Sequence, residues 1–562
     1  MSLTQPVAGF DVVVVGSGFG GSVAALRLTE KGYRVAVVEA GRRFADDEFP
    51  ETSWRLRRFL WAPRLGCYGI QRLTLLRNVL VLSGAGVGGG SLVYANTLYR
   101  PPDRFFADPQ WAGITDWSAE LAPHYDQAER MLGVVPYTGT TPSDRAMRTV
   151  AEQMGVGDTF HNAPVGVFFG TPGELTEDPY FGGAGPARRG CLECGECMTG
   201  CRHNAKNTLV KNYLYLAERA GARVFPLSTV TAVRPVPGGG YRVEMTRTGS
   251  FGLPGDRRVF AAGQVIFAAG ALGTQRLLHT MRDTGVLPDL SPALGTLTRT
   301  NSESIVGAKS YRSDVDFTEG VAITSSFHPD PDTHIEPVRY GHGSNAMGLL
   351  QTLLTDGGGR WPRSLKWLAE AARQPGALVR GVSTRRWSER TVIALVMQSL
   401  DNSLTVRRGR FGGLTSRQGH GEPNPSWIPA GNEAVRRLAE LIDGIPGGSW
   451  GEIFNIPLTA HILGGCPIAD APERGVVDAY QRVYGHPGLH VLDGAAVSAN
   501  LGVNPSLTIT AQAERAMSLW PNRGEPDPRP PLGADYRRLP PIAPAHPAVP
   551  ASAPAALRLR TR

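Results

Sequence analysis

The first apolar run of the chain, Val12 to Val15, is β-branched, four residues long and without polar alternation. That pattern predicts a strand buried on both faces of a parallel sheet. Gly16, Gly18 and Gly21 follow as G-x-G-x-x-G, and Ser22 to Lys31 then reads as a helix that turns Val23, Leu26 and Leu28 to the sheet and stops at Gly32. A second apolar run, Val35 to Val38, ends on Glu39. Strand, glycine turn, helix, strand and terminal acid together predict a dinucleotide site. The turn brings backbone against a pyrophosphate at the helix start, and the carboxylate takes ribose hydroxyls. Ser17 and Gly20 lie inside the same turn. The motif does not separate FAD from NAD; its position in the first twenty residues favours FAD.

Further along, the pattern alternates between glycine-rich and periodic stretches. Phe44 to Tyr68 is aromatic and arginine-rich, an excursion over the cofactor or a surface helix. Residues 79–99 carry glycines at 84, 86, 88, 89 and 90 among Val87, Leu92 and Val93, too apolar for a flexible linker and suited to backbone lying flush against a flat ring. Gly84, Gly88, Gly89 and Ser91 are therefore read as a second cofactor contact, with Asn96 near the flavin ring. Leu121 to Leu132 and Thr208 to Ala220 read as helices, Arg223 to Pro226 as a strand, and Thr229 to Arg234 as the start of a hairpin region that includes Val230. Residues 264–268 read as a strand, followed by a small-residue turn with Ala269 and Gly270 and a helix from Thr274.

From 297 to 455 the runs alternate, as in Val392 to Leu400 and Leu404 to Arg408, which predicts a mainly antiparallel sheet. Leu489 to Leu492 is a short strand ending at Asp493 and Gly494, and Asn504-Pro505-Ser506 opens a helix to about Leu519, with proline in the first turn where its missing N–H costs nothing. The predicted fold is α/β, a Rossmann-like FAD-binding domain with a second, substrate domain built on the antiparallel sheet. The first is discontinuous (8–45, 75–100, 205–296 and 456–520); the second takes 46–74, 101–204 and 297–455. Residues 521–562 form a proline-rich tail, disordered or draped on the surface.

Composition narrows the classes. A hydrophobic content of 41% and a charged content of 19% in 562 residues describe a globular chain with a large core. The net charge of +8 suggests nucleic acid until it is located: the tail holds seven arginines against three acids and supplies half of it. No basic stripe interleaved with aromatics remains in the body, which excludes nucleic-acid binding as the main function. No run reaches the ~18 apolar residues of a membrane helix, and no leader precedes the first strand. The expected location is the cytoplasm, with peripheral membrane or envelope contact open.

The stretches GSGFGG at 16–21, GAGVGGGSL at 84–92, AAGALGTQRLL at 268–278, HILGG at 461–465 and GVNPS at 502–506 resemble the glucose-methanol-choline (GMC) oxidoreductase family, and within it the actinobacterial-type cholesterol oxidases with non-covalent FAD. The resemblance spans 10–520. It implies that His461 and Asn504 face the flavin and that the reaction is hydride transfer from a secondary alcohol to flavin N5. Asp493 at its strand end and Pro505 at its helix start are read from their positions as further cofactor contacts. The implied substrate is a 3β-hydroxysteroid or another bulky alcohol, and the acceptor O2 or an electron carrier. The residue types suit this: an imidazole takes a hydroxyl proton near neutrality while a carboxamide fixes the oxygen. Isomerisation of the steroid double bond would need a glutamate. Glu303, Glu336 and Glu389 are available, and Glu389, entering the apolar strand at 392–397, is the first choice. Rival readings are a dehydrogenase for another bulky alcohol and a flavin-binding protein without activity.

Cys191, Cys194, Cys197 and Cys201 are spaced C-x2-C-x2-C-x3-C. That is ferredoxin-like and allows an iron-sulfur cluster; zinc more often draws its ligand pairs from separated segments. A loop of reduced thiols packed near the cofactor is the alternative.

Overall fold

The computed structural model describes residues 8–250 and 256–558. One seven-stranded sheet runs, in spatial order, Arg223–Phe225, Val35–Val38, Ala8–Val15, Arg257–Phe267, Tyr241–Arg247 and Ser228–Pro235, with Leu489–Val491 also paired to Arg257–Phe267. The first four strands and Leu489–Val491 are parallel, and the last two form an antiparallel hairpin. Val12 to Val15 are buried on both faces, as their unbroken apolar run requires. Strand Arg257–Phe267 is longer than the 264–268 read from sequence. Its first half pairs with Tyr241–Arg247 and its end with Leu489–Val491, so tertiary pairing satisfies backbone that no apolar run marks.

Helix Phe19–Glu30 begins three residues before the expected Ser22, and all of its residues are buried. It packs against Ser506–Ser518 and Tyr213–Arg219. A buried ion network ties the three helices together: Arg27 donates to both oxygens of Glu514 at 2.8 Å and to Glu30 at 2.7 Å, and Tyr213 Oη donates to Glu514 at 2.7 Å. The helix expected over Thr208 to Ala220 is only Tyr213–Arg219, because the Asn212 side chain accepts from Tyr213 N at 2.6 Å and caps it there.

The second sheet is antiparallel at every pairing, in the order Gln351–Leu353, Gly444–Ser449, Ser304–Ser310, Thr391–Gln398, Thr333–Val338, Ser325–Asp330 and His161–Asn162. Its two faces have different work. Val392, Ala394 and Val396 pack under helix Pro429–Leu441 with Val435 and Leu438, while Ile393 and Leu395 face the first sheet. The period of two thus divides one strand between a core and a cavity wall.

The tail is draped, not disordered. His546 N donates to Glu30 O at 2.8 Å, Tyr536 Oη to Glu120 at 2.5 Å and Ala555 N to Tyr180 O at 3.0 Å, while Val549, Ala553 and Ala555 are buried. Proline-rich chain has little conformational entropy to lose, so a modest set of contacts holds it.

The tightest packing lies where three parallel strands end. A Cβ on Gly20 would stand 1.4 Å from Leu492 O, and one on Gly21 2.2 Å from Gly16 O. Gly20→Ala is expected to cost more than ~3 kcal/mol; an unchanged thermal melt would refute that contact.

Candidate active site

A large cavity opens between the two sheets, with about 1950 Å³ of empty space including its mouth. Its floor is glycine turn: Gly18 and Gly20, then Gly84, then Ala269 and Gly270, then Asp493 and Gly494. These lie at or just beyond the carboxyl ends of the parallel strands, the place where open α/β sheets bind ligands. The roof is apolar and comes from the antiparallel sheet, with Ile305, Val338, Ile393 and Leu395, joined by Tyr340 and Trp387.

The floor fits a dinucleotide. A Cβ on Gly18 or on Gly270 would meet no protein atom within 4 Å, so both backbones face open space, as a phosphate or ring lying on them requires. Gly18 precedes helix Phe19–Glu30, whose N-terminus has no side-chain cap and leaves N–H groups for an anion. Glu39 is held ready: Ser17 N donates to it at 3.0 Å, Ser17 Oγ at 2.7 Å and Gly41 N at 2.7 Å. Gly88 N bonds Ser17 Oγ at 3.0 Å, and a Cβ on Gly89 would stand 2.7 Å from Gly18 Cα. Ser91 Oγ donates to Gly88 O at 2.7 Å and accepts from Leu209 N at 3.1 Å. The 84–92 stretch therefore supports the first turn directly.

Asp493 accepts from Thr274 Oγ1 at 2.5 Å and from Ala495 N at 2.9 Å; burial pushes its carboxyl up to about 6, and these bonds hold it from going further. Pro505 and Ser506 bring the start of helix Ser506–Ser518 to the cavity wall. Asn96 is buried with neither amide atom paired, and its neighbours Ala95 and Thr97 line the cavity. Gly16 and Gly21 pack on each other behind the floor, and Val230 sits in the hairpin strand Ser228–Pro235, outside the cavity wall.

His461 and Asn504 line the same cavity. His461 Nδ1 lies 2.8 Å from Glu303 Oε2, in a contact closer to charge pairing than to a straight hydrogen bond. Glu303 is fully buried and fixed from behind, by Thr459 Oγ1 at 2.9 Å and Ala460 N at 2.9 Å. Burial alone would lower the His461 pKa, but the charges of Glu303 and Glu336 outweigh it and hold the imidazole above its ordinary value. Asn504 Nδ2 donates to Glu336 Oε2 at 3.2 Å. Burial raises the Glu336 carboxyl to about 8, against the pull of Asn504 and His461. Asn504 Oδ1 and Glu336 Oε1 are buried and unpaired. Two such atoms beside an imidazole suit a ligand that brings its own polar group.

The glutamate favoured from sequence does not reach the cavity wall. Glu389, in the short helix Trp387–Arg390, contacts His342 at 3.2 Å and Ser388 Oγ at 3.0 Å and is not part of the cavity wall, which that helix reaches through Trp387. Glu336 stands on strand Thr333–Val338, on the same side as the cavity-lining Val338. Glu303 as the partner of His461 was also missed; the two are 158 positions apart, and no local pattern links them. All four cysteines of 191–201 border one small cavity of their own.

Comparison with known proteins agrees with this architecture. A model described as FAD dependent oxidoreductase matches residues 11–335, and one described as GMC oxidoreductase matches 455–513. The chain is similar to a cholesterol oxidase of Mycobacterium tuberculosis, 65% identical over 98% of this chain and 97% of that one. It is also similar to a cholesterol oxidase of Acinetobacter baumannii, 45% identical over 91% and 94%. Among solved structures, pyridoxine 4-oxidase from Mesorbium loti shares the fold, with a TM-score of 0.57, 15% identity, and coverage of 90% of this chain and 98% of that one.

A raised His461 pKa means that the neutral base forms only above the ordinary histidine range, so flavin reduction by substrate should rise with pH through that raised value. Glu303→Gln removes the stabilising charge and should move the rise about one unit or more toward lower pH. Stopped-flow pH profiles of both proteins check this, and coincident profiles would show that Glu303 does not act on His461.

Proposed function

Since this chain belongs to the FAD-dependent GMC oxidoreductase family, we propose that its substrate is a bulky secondary alcohol, a 3β-hydroxysteroid such as cholesterol, which it oxidises to the ketone. It is an FAD-dependent alcohol oxidoreductase. The observation that supports the substrate class is a cavity lined by His461 and Asn504, the latter bonded to the buried Glu336, with Ile305, Val338, Tyr340, Trp387, Ile393 and Leu395 forming its apolar roof. A long apolar molecule with a single hydroxyl matches that distribution.

FAD, when bound without a covalent link, supplies the hydride acceptor. The residues do the rest. Asn504 orients the hydroxyl through its unpaired carboxamide oxygen. His461 takes the hydroxyl proton as the C–H bond gives up its hydride, and Glu303 stabilises the imidazolium that forms. The N–H groups at the start of helix Ser506–Ser518 favour the negative charge that reduction brings to the cofactor. O2 is the acceptor in this reading, in keeping with relatives named oxidases. The four cysteines offer a second reading, in which electrons leave through an iron-sulfur cluster and the enzyme works as a dehydrogenase.

Glu336 suits proton transfer between carbons. A carboxyl raised to about 8 has both forms available near neutrality, so the same group can remove a proton from an enone precursor and return it one position along. This makes Glu336 the residue for shifting a Δ5 double bond to Δ4.

The mouth suits a membrane-held substrate. Among the described residues no helix is long and apolar enough to cross a membrane. Helices Arg363–Arg373 and Pro375–Val382 expose Leu365, Leu368 and Val379 alongside Arg373 and Arg380, and Met347 and Leu350 nearby line the cavity. Apolar and basic side chains together favour peripheral contact of a cytoplasmic protein with an anionic lipid face.

Anaerobic mixing with cholesterol and a panel of smaller alcohols tests the reading. Cholesterol should bleach the flavin, and His461→Gln or Asn504→Leu should keep FAD but slow bleaching at least ~100-fold. Full rate in both variants would exclude this pair as the working groups. Glu336→Gln should still form the ketone while losing at least ~100-fold in conversion of the Δ5 to the Δ4 isomer, read by the enone absorbance.

A further inference from the structure

The cysteine loop lies outside the alcohol site, and its surroundings are built for more than four thiols. Cys191, Cys194, Cys197 and Cys201 all border one cavity, and none is in a disulfide. Left-handed backbone at Glu193, Gly195 and Gly200, with φ of 53°, 70° and 91°, curls the loop around that point. Glu193 N donates to Cys191 Sγ at 3.4 Å. Among the described residues Cys194, Glu196 and His203 bring ligand atoms within 4.8 Å of one another, while no three of the four sulfurs are that close. Four thiolates on one zinc ion would stand only ~3.8 Å apart, given Zn–S bonds of ~2.3 Å. A multi-iron core holds its thiolates farther apart, at separate corners.

The charges point the same way. Lys206 is buried, borders the same cavity, and bonds Cys197 O at 2.8 Å and Leu92 O at 3.1 Å. Arg188, also buried, braces the loop through the carbonyls of Ala205 and Lys206 at 2.9 Å each. Reduced, neutral thiols need no cation beside them, and burying Lys206 against their cavity is costly unless an anion is there to answer it. A four-thiolate iron-sulfur cubane is a dianion in its oxidised form.

We propose that Cys191, Cys194, Cys197 and Cys201 hold a [4Fe–4S] cluster that gives the flavin a one-electron outlet. Position supports the outlet. Met198, next to Cys197, lines the flavin cavity, and Lys206 Nζ sits 4.7 Å from the ring centre of Tyr94, which lines it too. Cys194 and Cys201 are half-buried. By this outlet the two electrons of an oxidised alcohol leave singly through the cluster to a one-electron carrier protein in place of O2, and its two protons pass to water. Cluster binding stands on the cysteine loop alone, whereas the outlet rests on the flavin reading given above.

The test uses the full-length FAD-bound protein, prepared anaerobically and supplied with ferrous iron and sulfide. About four irons and four sulfides per chain are expected, with an electron paramagnetic resonance signal after dithionite. Cys194→Ala combined with Cys201→Ala should lower iron at least fivefold while FAD per chain is unchanged, which also shows that the variant is folded. Less than one iron per chain in FAD-replete protein, or stoichiometric zinc in its place, overturns the proposal. Alcohol-reduced enzyme should pass electrons to ferricenium at least tenfold faster with the cluster than without; equal rates overturn the outlet. Iron and sulfide counts do not depend on which alcohol reduces the flavin.

Discussion

Three strand ends are pressed together more closely than any side chain would allow. Ala8–Val15, Arg257–Phe267 and Leu489–Val491 finish side by side, and the turns that follow them meet backbone to backbone: Gly16 against Ala268 O, Gly20 against Leu492 O and Gly21 against Gly16 O. Hard-sphere exclusion therefore sets the shape of the crevice. The same approach carries Ala269–Gly270 and Asp493–Gly494 to one floor, from positions hundreds of residues apart along the chain. The 84–92 stretch then closes on it from the side, with Gly89 against Gly18. A flat cofactor is accommodated because the protein puts backbone where most proteins put side chains.

Against that floor the antiparallel sheet supplies the opposite chemistry. Its alternation spends one face on a core beneath helix Pro429–Leu441 and leaves the other as an apolar roof. One imidazole and one carboxamide line this space, each backed by a buried carboxylate. Each would be expensive alone, and the arrangement makes them affordable by mutual pairing: Glu303 with His461, Glu336 with Asn504. The pairing also separates their roles. Glu303 takes bonds from Thr459 Oγ1 and Ala460 N, whereas Glu336 keeps one oxygen unpaired and a carboxyl that burial raises to about 8.

Much of this was legible from residue order. The short apolar runs located the parallel strands, the glycine stretches marked the cofactor floor, and the proline-opened helix after Asn504 was placed to within a residue. These features are local: steric exclusion and period act over a few positions and leave their mark where they act. Element limits were less legible, because pairing lengthened Arg257–Phe267 and capping by Asn212 shortened the helix after it. The tail's composition argued for disorder as readily as for docking, and only its contacts with Glu30, Glu120 and Tyr180 decide between them.

By itself, then, the amino-acid order determined the dinucleotide turn and the two-layer α/β plan, while His461 and Asn504 were singled out through resemblance to a family. Only the tertiary structure decided which glutamate stands beside them, which one charges the histidine, and that four cysteines surround a common point with buried cations nearby. The reason is the range of the forces. Backbone sterics and hydrophobic period are written within a turn or a strand, whereas a buried charge is placed by whatever folds against it, and here its partners come from more than a hundred residues away.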